Sequence, residues 1–342
     1  MGEGIILFTS NDPSELVKKC GENLKVPLSN PFKKEEFLVQ SRGMSSWLKL
    51  QMADELGVFA NAKFRFPEET IWLILRGYLG SGPEKNPYTK EGMAWKIFQL
   101  LPGLIEAQPK VFSKISRYLA NDSGKVDADR FFRLCRQIAS LYDSYQTYRP
   151  EFIIDWLAGK FPEDANRWQG VLWQSLHNAF GQKCLPELIQ QLEAREKPVE
   201  LDLLPERLSV FGISTLPPIF LNVLQAYGRV RPLCFYVLQP APVMWGDLES
   251  EKDVEKWKNR AIKRARQQSG REVSENDLGI ETGNPLIGSF GRTGREFFNL
   301  LVDRDAHDYP LKFRTSTGGS VLARLQRWTF CLLYTSPSPR DS

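Results

Sequence analysis

The feature that most constrains the fold of this chain is a change of hydrophobic period that occurs twice along it. Up to residue 67, short apolar runs alternate with capped helical stretches. From Glu68 to about Arg195 the apolar residues recur almost without interruption at helical spacing, and near Leu208 the short runs return. Strands that alternate with helices predict a parallel sheet. A long helical block between two groups of strands predicts a subdomain inserted into that sheet. The expected fold class is therefore α/β, with a parallel sheet and a large all-helical insertion. The expected division is residues 1–67 for the first part of the α/β domain, 68–200 for the helical subdomain and 201–330 for the return to the sheet. Two domains also fit 342 residues at roughly 150 residues each.

The opening residues 4–9 read as a strand. Ser10, Asn11 and Asp12 supply caps for a helix over residues 13–20, with Pro13 at its first turn. A second strand over residues 37–40 meets Ser41-Arg42-Gly43, and then a helix with Met44, Trp47, Leu48 and Met52 on one face. Strand, glycine turn and helix form the phosphate-binding arrangement of nucleotide-binding folds. That arrangement needs G-x-x-x-x-G-K-[ST], and no such run is present: the two Gly-Lys pairs, at 124–125 and 159–160, lack the upstream glycine and precede Val126 and Phe161. ATP motifs are absent, so a working ATP site in this segment is not expected.

Within the helical block, the runs 71–78, 92–101, 111–119 and 130–148 are separated by Pro, Gly or Asn-Asp. The run 130–148 places Phe131, Leu134, Cys135, Ile138, Leu141, Tyr142 and Tyr145 on a buried side. Arg136, Ser140, Asp143 and Thr147 line the opposite face, where the simplest reading is a solvated stripe, and Arg149-Pro150 closes the helix. Strands over residues 208–213 and 234–239 then flank a helix ending near Gly228, for which Ser214 or Thr215 can act as cap. A final helix is expected through Leu301.

The five cysteines form no CxxC pair and there are two histidines, His177 and His307, so neither a zinc site nor a metal-dependent hydrolase is expected. The N-terminus carries an apolar run too short for a secretory signal or a membrane span, which predicts a cytoplasmic chain with reduced thiols and no membrane partner. The net charge of +4 permits a polyanionic partner. The most polarised segment is 256–271, where Lys256, Lys258, Arg260, Lys263, Arg264, Arg266 and Arg271 surround Trp257 with no acidic residue. It reads either as a contact for a nucleic-acid backbone or as a solvated face balanced by Glu251, Asp253 and Glu255. Residues 331–342 shift to Ser and Pro, and residues 331–341 read as the translation of a transposase-type sequencing adapter. They are expected to carry no fold information, and the natural chain is expected to continue past about Phe330.

Six blocks of residues carry a resemblance. They are Phe37 to Met44 with Trp47-Leu48; Phe66-Pro67 to Ile71-Trp72; Tyr148-Arg149-Pro150; Val210 to Pro218; Trp245-Gly246-Asp247; and Gly283 to Leu286 with Gly291-Arg292 and Gly294-Arg295-Glu296. In content and order they resemble the RecC family, the gamma subunits of exodeoxyribonuclease V, the RecBCD helicase-nuclease. The resemblance implies a RecA-like, superfamily 1 helicase fold with decayed ATP motifs, in subunits about three times as long as this chain. It implies a non-catalytic, DNA-binding role in double-strand break repair by homologous recombination. The subunit would separate strands at DNA ends, guide the single strands and read a Chi-like hotspot in a tunnel. Partners would be RecB-like and RecD-like subunits in a bacterial heterotrimer, with no cofactor in this chain and ATP and magnesium held by the partners. The family's tunnel positions fall on Gln40, Arg42, Ser46, Phe66, Trp72, Ser140, Leu141, Asp143 and Arg149. Trp72 suits base stacking, Gln40 and Asp143 suit base edges, and Arg149 suits a phosphate or guanine. Arg42, Ser46, Phe66 and Ser140 stand where well-studied members carry other residue types, so strand binding is implied more firmly than reading of the same octamer. Two rival classes are an AddB-type helicase-nuclease subunit, which would need a Walker loop at the first strand-helix turn, and a purely structural adaptor for a motor subunit.

Overall fold

A computed structural model describes residues 4–80, 86–120, 128–163, 166–242 and 291–330. The basic run from Lys256 to Arg271, the blocks at 245–247 and 283–286, and residues 331–342 lie outside the described residues. The described elements, in order, are β1 (Ile5–Ser10), α1 (Pro13–Leu24), β2 (Glu35–Val39), α2 (Arg42–Leu56), β3 (Ala62–Arg65), α3 (Pro67–Leu79), α4 (Lys90–Ala107), α5 (Ser113–Leu119), α6 (Ala128–Tyr148), α7 (Pro150–Leu157), α8 (Arg167–Phe180) and α9 (Leu185–Glu193). They continue with β4 (Leu208–Phe211), α10 (Pro218–Gly228), β5 (Leu233–Leu238), α11 (Arg292–Val302), β6 (His307–Pro310) and α12 (Val321–Phe330). The six strands form one sheet in the order β3-β2-β4-β5-β1-β6, and every neighbouring pair is parallel.

The chain divides into two compact units. One comprises the described residues of Met1–Thr70, Pro205–Leu216 and Tyr227–Ser342, and the other those of Ile71–Leu204 and Pro217–Ala226. In the sheet unit, Phe8, Tyr236 and Phe211 occupy one register across β1, β5 and β4, and their rings stack at centroid distances of 5.3 and 5.6 Å. Leu16, Val17 and Cys20 of α1 and Leu48 and Met52 of α2 join them in one buried cluster. Spacings of three and four put these positions on one side of each helix. Burial pushes the Cys20 thiol up to about 12 and the Cys135 thiol to about 11, so both behave as small protonated hydrophobes.

The helical unit has its own core, built on α4, α6, α7 and α8. Trp173 is fully buried, stacked on Tyr88 at 5.6 Å and meeting Tyr142 edge-on at 5.1 Å. The Tyr88 hydroxyl donates to the Gln182 carbonyl at 2.6 Å and the Tyr142 hydroxyl to the Gln169 carbonyl at 2.7 Å. One of the two histidines is structural: His177 Nε2 lies 2.8 Å from Glu187 Oε2, which also accepts from the Cys184 amide at 2.8 Å at the start of α9. Burial opposes ionisation of Glu187, but these hydrogen bonds hold its carboxyl below the usual range.

Several expectations are corrected. Ser41-Arg42-Gly43 is not a glycine turn: Ser41 is the extended N-cap of α2, its Oγ accepts from the Met44 amide at 3.1 Å, and Arg42 and Gly43 are already helical. Neither Ser214 nor Thr215 occupies the N-cap position of α10, which starts at Pro218. The helix expected to end at Leu101 runs through Pro102 to Ala107. Pro102 is exposed and has no amide hydrogen to give to the Phe98 carbonyl one turn earlier. Two strands, β3 and β6, and the helix α12 were not foreseen.

Candidate nucleic-acid interface

Parallel strands bring all their carboxyl ends to one edge of the sheet, where open α/β sheets place their ligands. Gln40 follows β2 there and Phe66 follows β3, the neighbouring strand, and both are exposed. Arg42 and Ser46, also exposed, lie on the first turns of α2, which has no acidic residue in its first turn. The Arg42 charge therefore adds to the positive end of the helix dipole at the start of α2. Phe66 is positioned by its neighbour: Arg65 is almost buried and its guanidinium grips Glu36 with Nε at 2.7 Å and Nη2 at 3.2 Å, while Nη1 also bonds Glu69 in the first turn of α3. After β4 the chain turns at Gly212 with φ +65°, where a side chain would be strained and its Cβ would lie 2.8 Å from Met44 Cε.

At the carboxyl end of β1 the geometry differs from a nucleotide-binding loop. Only Asn11 and Asp12 separate β1 from α1. Asp12 caps α1, accepting from the Ser14 amide at 2.9 Å, and its other oxygen is paired with Arg314. Asn11 exchanges two hydrogen bonds with the Arg314 backbone, at 2.7 and 2.8 Å, and Ser10 Oγ donates to the Lys312 carbonyl at 2.7 Å. The place a phosphate would need is thus filled by a carboxylate and by the segment that follows β6. Both features disfavour an anion there.

In the helical unit, the expected polar stripe of α6 is on the outside. Arg136 and Ser140 are exposed, Asp143 and Thr147 are half-exposed, and Phe131, Cys135, Ile138, Ala139, Tyr142 and Gln146 are buried. Leu141 is half-buried at the margin of the stripe. Asp143 is not free: its Oδ2 lies 3.2 Å from Lys90 Nζ at the start of α4. Arg149 is exposed between α6 and α7 and has Glu151 at 3.7 Å. Trp72 is half-buried on α3, where Ile71, Ile74, Leu75 and Tyr78 take the buried positions. It is not a core tryptophan in the manner of Trp173. The structure thus groups Gln40, Arg42, Ser46 and Phe66 on the sheet unit, and Ser140, Leu141 and Asp143 along one helix of the other, with Trp72 and Arg149 on separate elements of that unit. Among the described residues, no group of three or more His, Cys, Asp or Glu is arranged to hold a metal ion, and no helix is long and apolar enough to cross a membrane.

The family model described as "RecC, N-terminal domain" matches residues 5–330, almost the entire chain. The chain belongs to the RecC family. Among curated members, the RecBCD enzyme subunit RecC of Escherichia coli K12 is 32% identical over 319 residues, covering 87% of this chain and 28% of that protein. The RecC subunit of Haemophilus influenzae Rd is 28% identical over 354 residues, covering 88% of this chain and 31% of its own length. That of Mycolicibacterium smegmatis is 26% identical over 292 residues, covering 84% and 24%. The chain therefore spans less than a third of the length of these RecC relatives. The match embraces both units and takes in all nine residues of the candidate interface.

Proposed function

We propose that this chain is the N-terminal part of a non-catalytic RecBCD subunit that separates strands at DNA ends, guides the single strands and reads a Chi-like hotspot. Its sheet unit would be a RecA-like helicase domain without ATP motifs, with residues 68–200 as the inserted helical subdomain. RecB-like and RecD-like motors would hold the ATP and magnesium in the bacterial cytoplasm. The observation that carries the reading is the exposure of Gln40, Arg42, Ser46 and Phe66 together along the carboxyl edge of the sheet. An amide, a guanidinium, a hydroxyl and a phenyl ring in one exposed group can bond base edges, take a phosphate and stack on a base. The basic run with Lys256, Lys258, Arg260, Lys263, Arg264 and Arg266 is a further candidate for backbone contacts.

The closed turn at Asn11-Asp12 leads to one expected result: the purified chain hydrolyses ATP no faster than background, with or without DNA. DNA-stimulated turnover that persists through repurification would favour the active, AddB-type reading instead.

The strand-guiding role is tested with full-length protein in complex with its partner subunits. Trp72→Ala is expected to weaken single-strand binding by roughly 1–3 kcal/mol through lost base stacking, with little change in melting because Trp72 is only half-buried. Gln40→Ala is expected to leave stability intact and to alter sequence preference more than general affinity. If Trp72→Ala melts the protein while affinity per folded molecule is unaltered, Trp72 is a packing residue. If the wild-type complex binds single strands no better than the complex that carries both substitutions, the chain is a structural adaptor.

A further inference from the structure

We propose that the groove between α4 and α6 is a single-stranded nucleic-acid subsite, in which Trp95 stacks on a base and Arg133 and Arg136 take adjacent phosphates. The inference rests on the reading of this chain as a strand-binding subunit and adds a place that the nine candidate residues do not include, apart from Ser140 at its end. The groove encloses about 580 Å³, in the range of pockets that hold small ligands. Trp95 is 58% exposed, an unusual state for an indole. It falls out of phase with Met93, Ala94, Ile97 and Leu101, which carry α4 into the core. The ring is nonetheless held in place, tilted on Phe132 at 4.9 Å and edge-on to Phe98 at 6.0 Å. An exposed ring fixed from beneath is a preformed stacking platform, because little side-chain entropy remains to be lost on binding.

The polar groups of the groove fit the same ligand. Arg133, Arg136, Gln137 and Ser140 follow one another along a single face of α6 and line it. Neither guanidinium forms an ion pair among the described residues. Arg133 Nε donates to the Asp129 carbonyl of its own helix at 3.4 Å. Lys90 adds a third cation at the end of the groove, shared with Asp143. Glu91 is the one acidic lining residue, and its place in the first turn of α4 is where the helix dipole favours an acid. A cation-rich groove beside an exposed indole matches the general pattern of single-strand binding, in which the charge tracks the backbone and the ring takes a base of any identity. An acidic peptide would satisfy the arginines but would leave the indole without a partner.

The test uses full-length protein with its partner subunits and an iodouracil-substituted oligothymidylate as probe. Photocrosslinking is expected to label the tryptic peptide containing Trp95. Trp95→Ala is expected to reduce affinity for the unsubstituted oligothymidylate by roughly 5- to 150-fold, the equivalent of a lost base stack. Arg133→Gln with Arg136→Gln, both exposed and safe for folding, is expected to flatten the dependence of log affinity on log salt by about 1.4. If the Trp95 and arginine variants bind as wild type while Trp72→Ala binds weakly, the groove is not a subsite and the strand-binding role stands. If polyglutamate of equal length displaces the probe as well as oligothymidylate does, the groove is a general anion site and the proposal fails. If none of the variants, Trp72→Ala included, differs from wild type, both readings fail together.

Discussion

Trp173→Ala is expected to destabilise the chain by about 3–5 kcal/mol, the usual cost of emptying a fully buried aromatic site. The ring sits between Tyr88 and Tyr142, so its removal also leaves two tyrosines beside a void. A milder substitution separates packing from polarity. Among the described residues, Trp173 Nε1 is buried with no hydrogen-bond partner, a standing cost that Trp173→Phe removes. That variant is expected to lose only about 1–2 kcal/mol, because a smaller cavity is partly offset by deletion of the unpaired donor. Urea unfolding of both variants measures the difference, and equal losses would mean that the indole N–H finds a partner in solution. Because Tyr142 lies on α6, Trp173→Ala should also loosen the helix that carries Arg136, Ser140 and Asp143.

Arg65→Gln is expected to cost about 2–4 kcal/mol, since it strands the Glu36 carboxylate, only 12% exposed, without its bidentate partner. Converting the pair to Arg65→Met with Glu36→Leu is expected to recover most of that loss, because the penalty lies in the orphaned charge. A double variant no more stable than the single one would show that the pair itself stabilises the edge of the sheet. Strand binding supplies a second readout. Phe66 is held by the residue before it, so the single variant should bind single-stranded DNA less tightly even where it remains folded.

The strands that could be read from the sequence are the apolar ones. β1, β2, β4 and β5 are central, covered on both faces and correspondingly rich in Ile, Leu, Val, Phe and Tyr. The two that were missed are the edges. β3 is Ala-Lys-Phe-Arg, and β6 is His-Asp-Tyr-Pro with every residue exposed, so neither needs an apolar run, and a proline is tolerated at an edge. The glycine turn was misread because Ser41, one residue earlier, already closes the first turn of α2. The polar stripe of α6 was legible because 3.6-residue periodicity separates its faces along six turns. Its pairing with Lys90 was not, since nothing local links residues 90 and 143. Trp95 carried an available signal, an aromatic residue opposite the apolar face of its own helix, but its supports Phe98 and Phe132 come together only in the folded unit. Which family positions these residues occupy could come only from the resemblance.

The strand order has a consequence for the order of events during synthesis. β1 pairs on one side with β5 and on the other with β6, and both are made more than 200 residues later. At about 5–20 residues per second, an apolar hexapeptide leaves the ribosome and waits roughly ten to fifty seconds for its first neighbour. β2 and β3 can pair early, and the helical unit, whose contacts are local, can close in the interval. β4 then arrives to join β2, and β5 bridges β4 to β1. The oldest segment of the sheet is therefore among the last to be satisfied, and a nascent chain of this kind depends on keeping that one strand from pairing with the wrong partner.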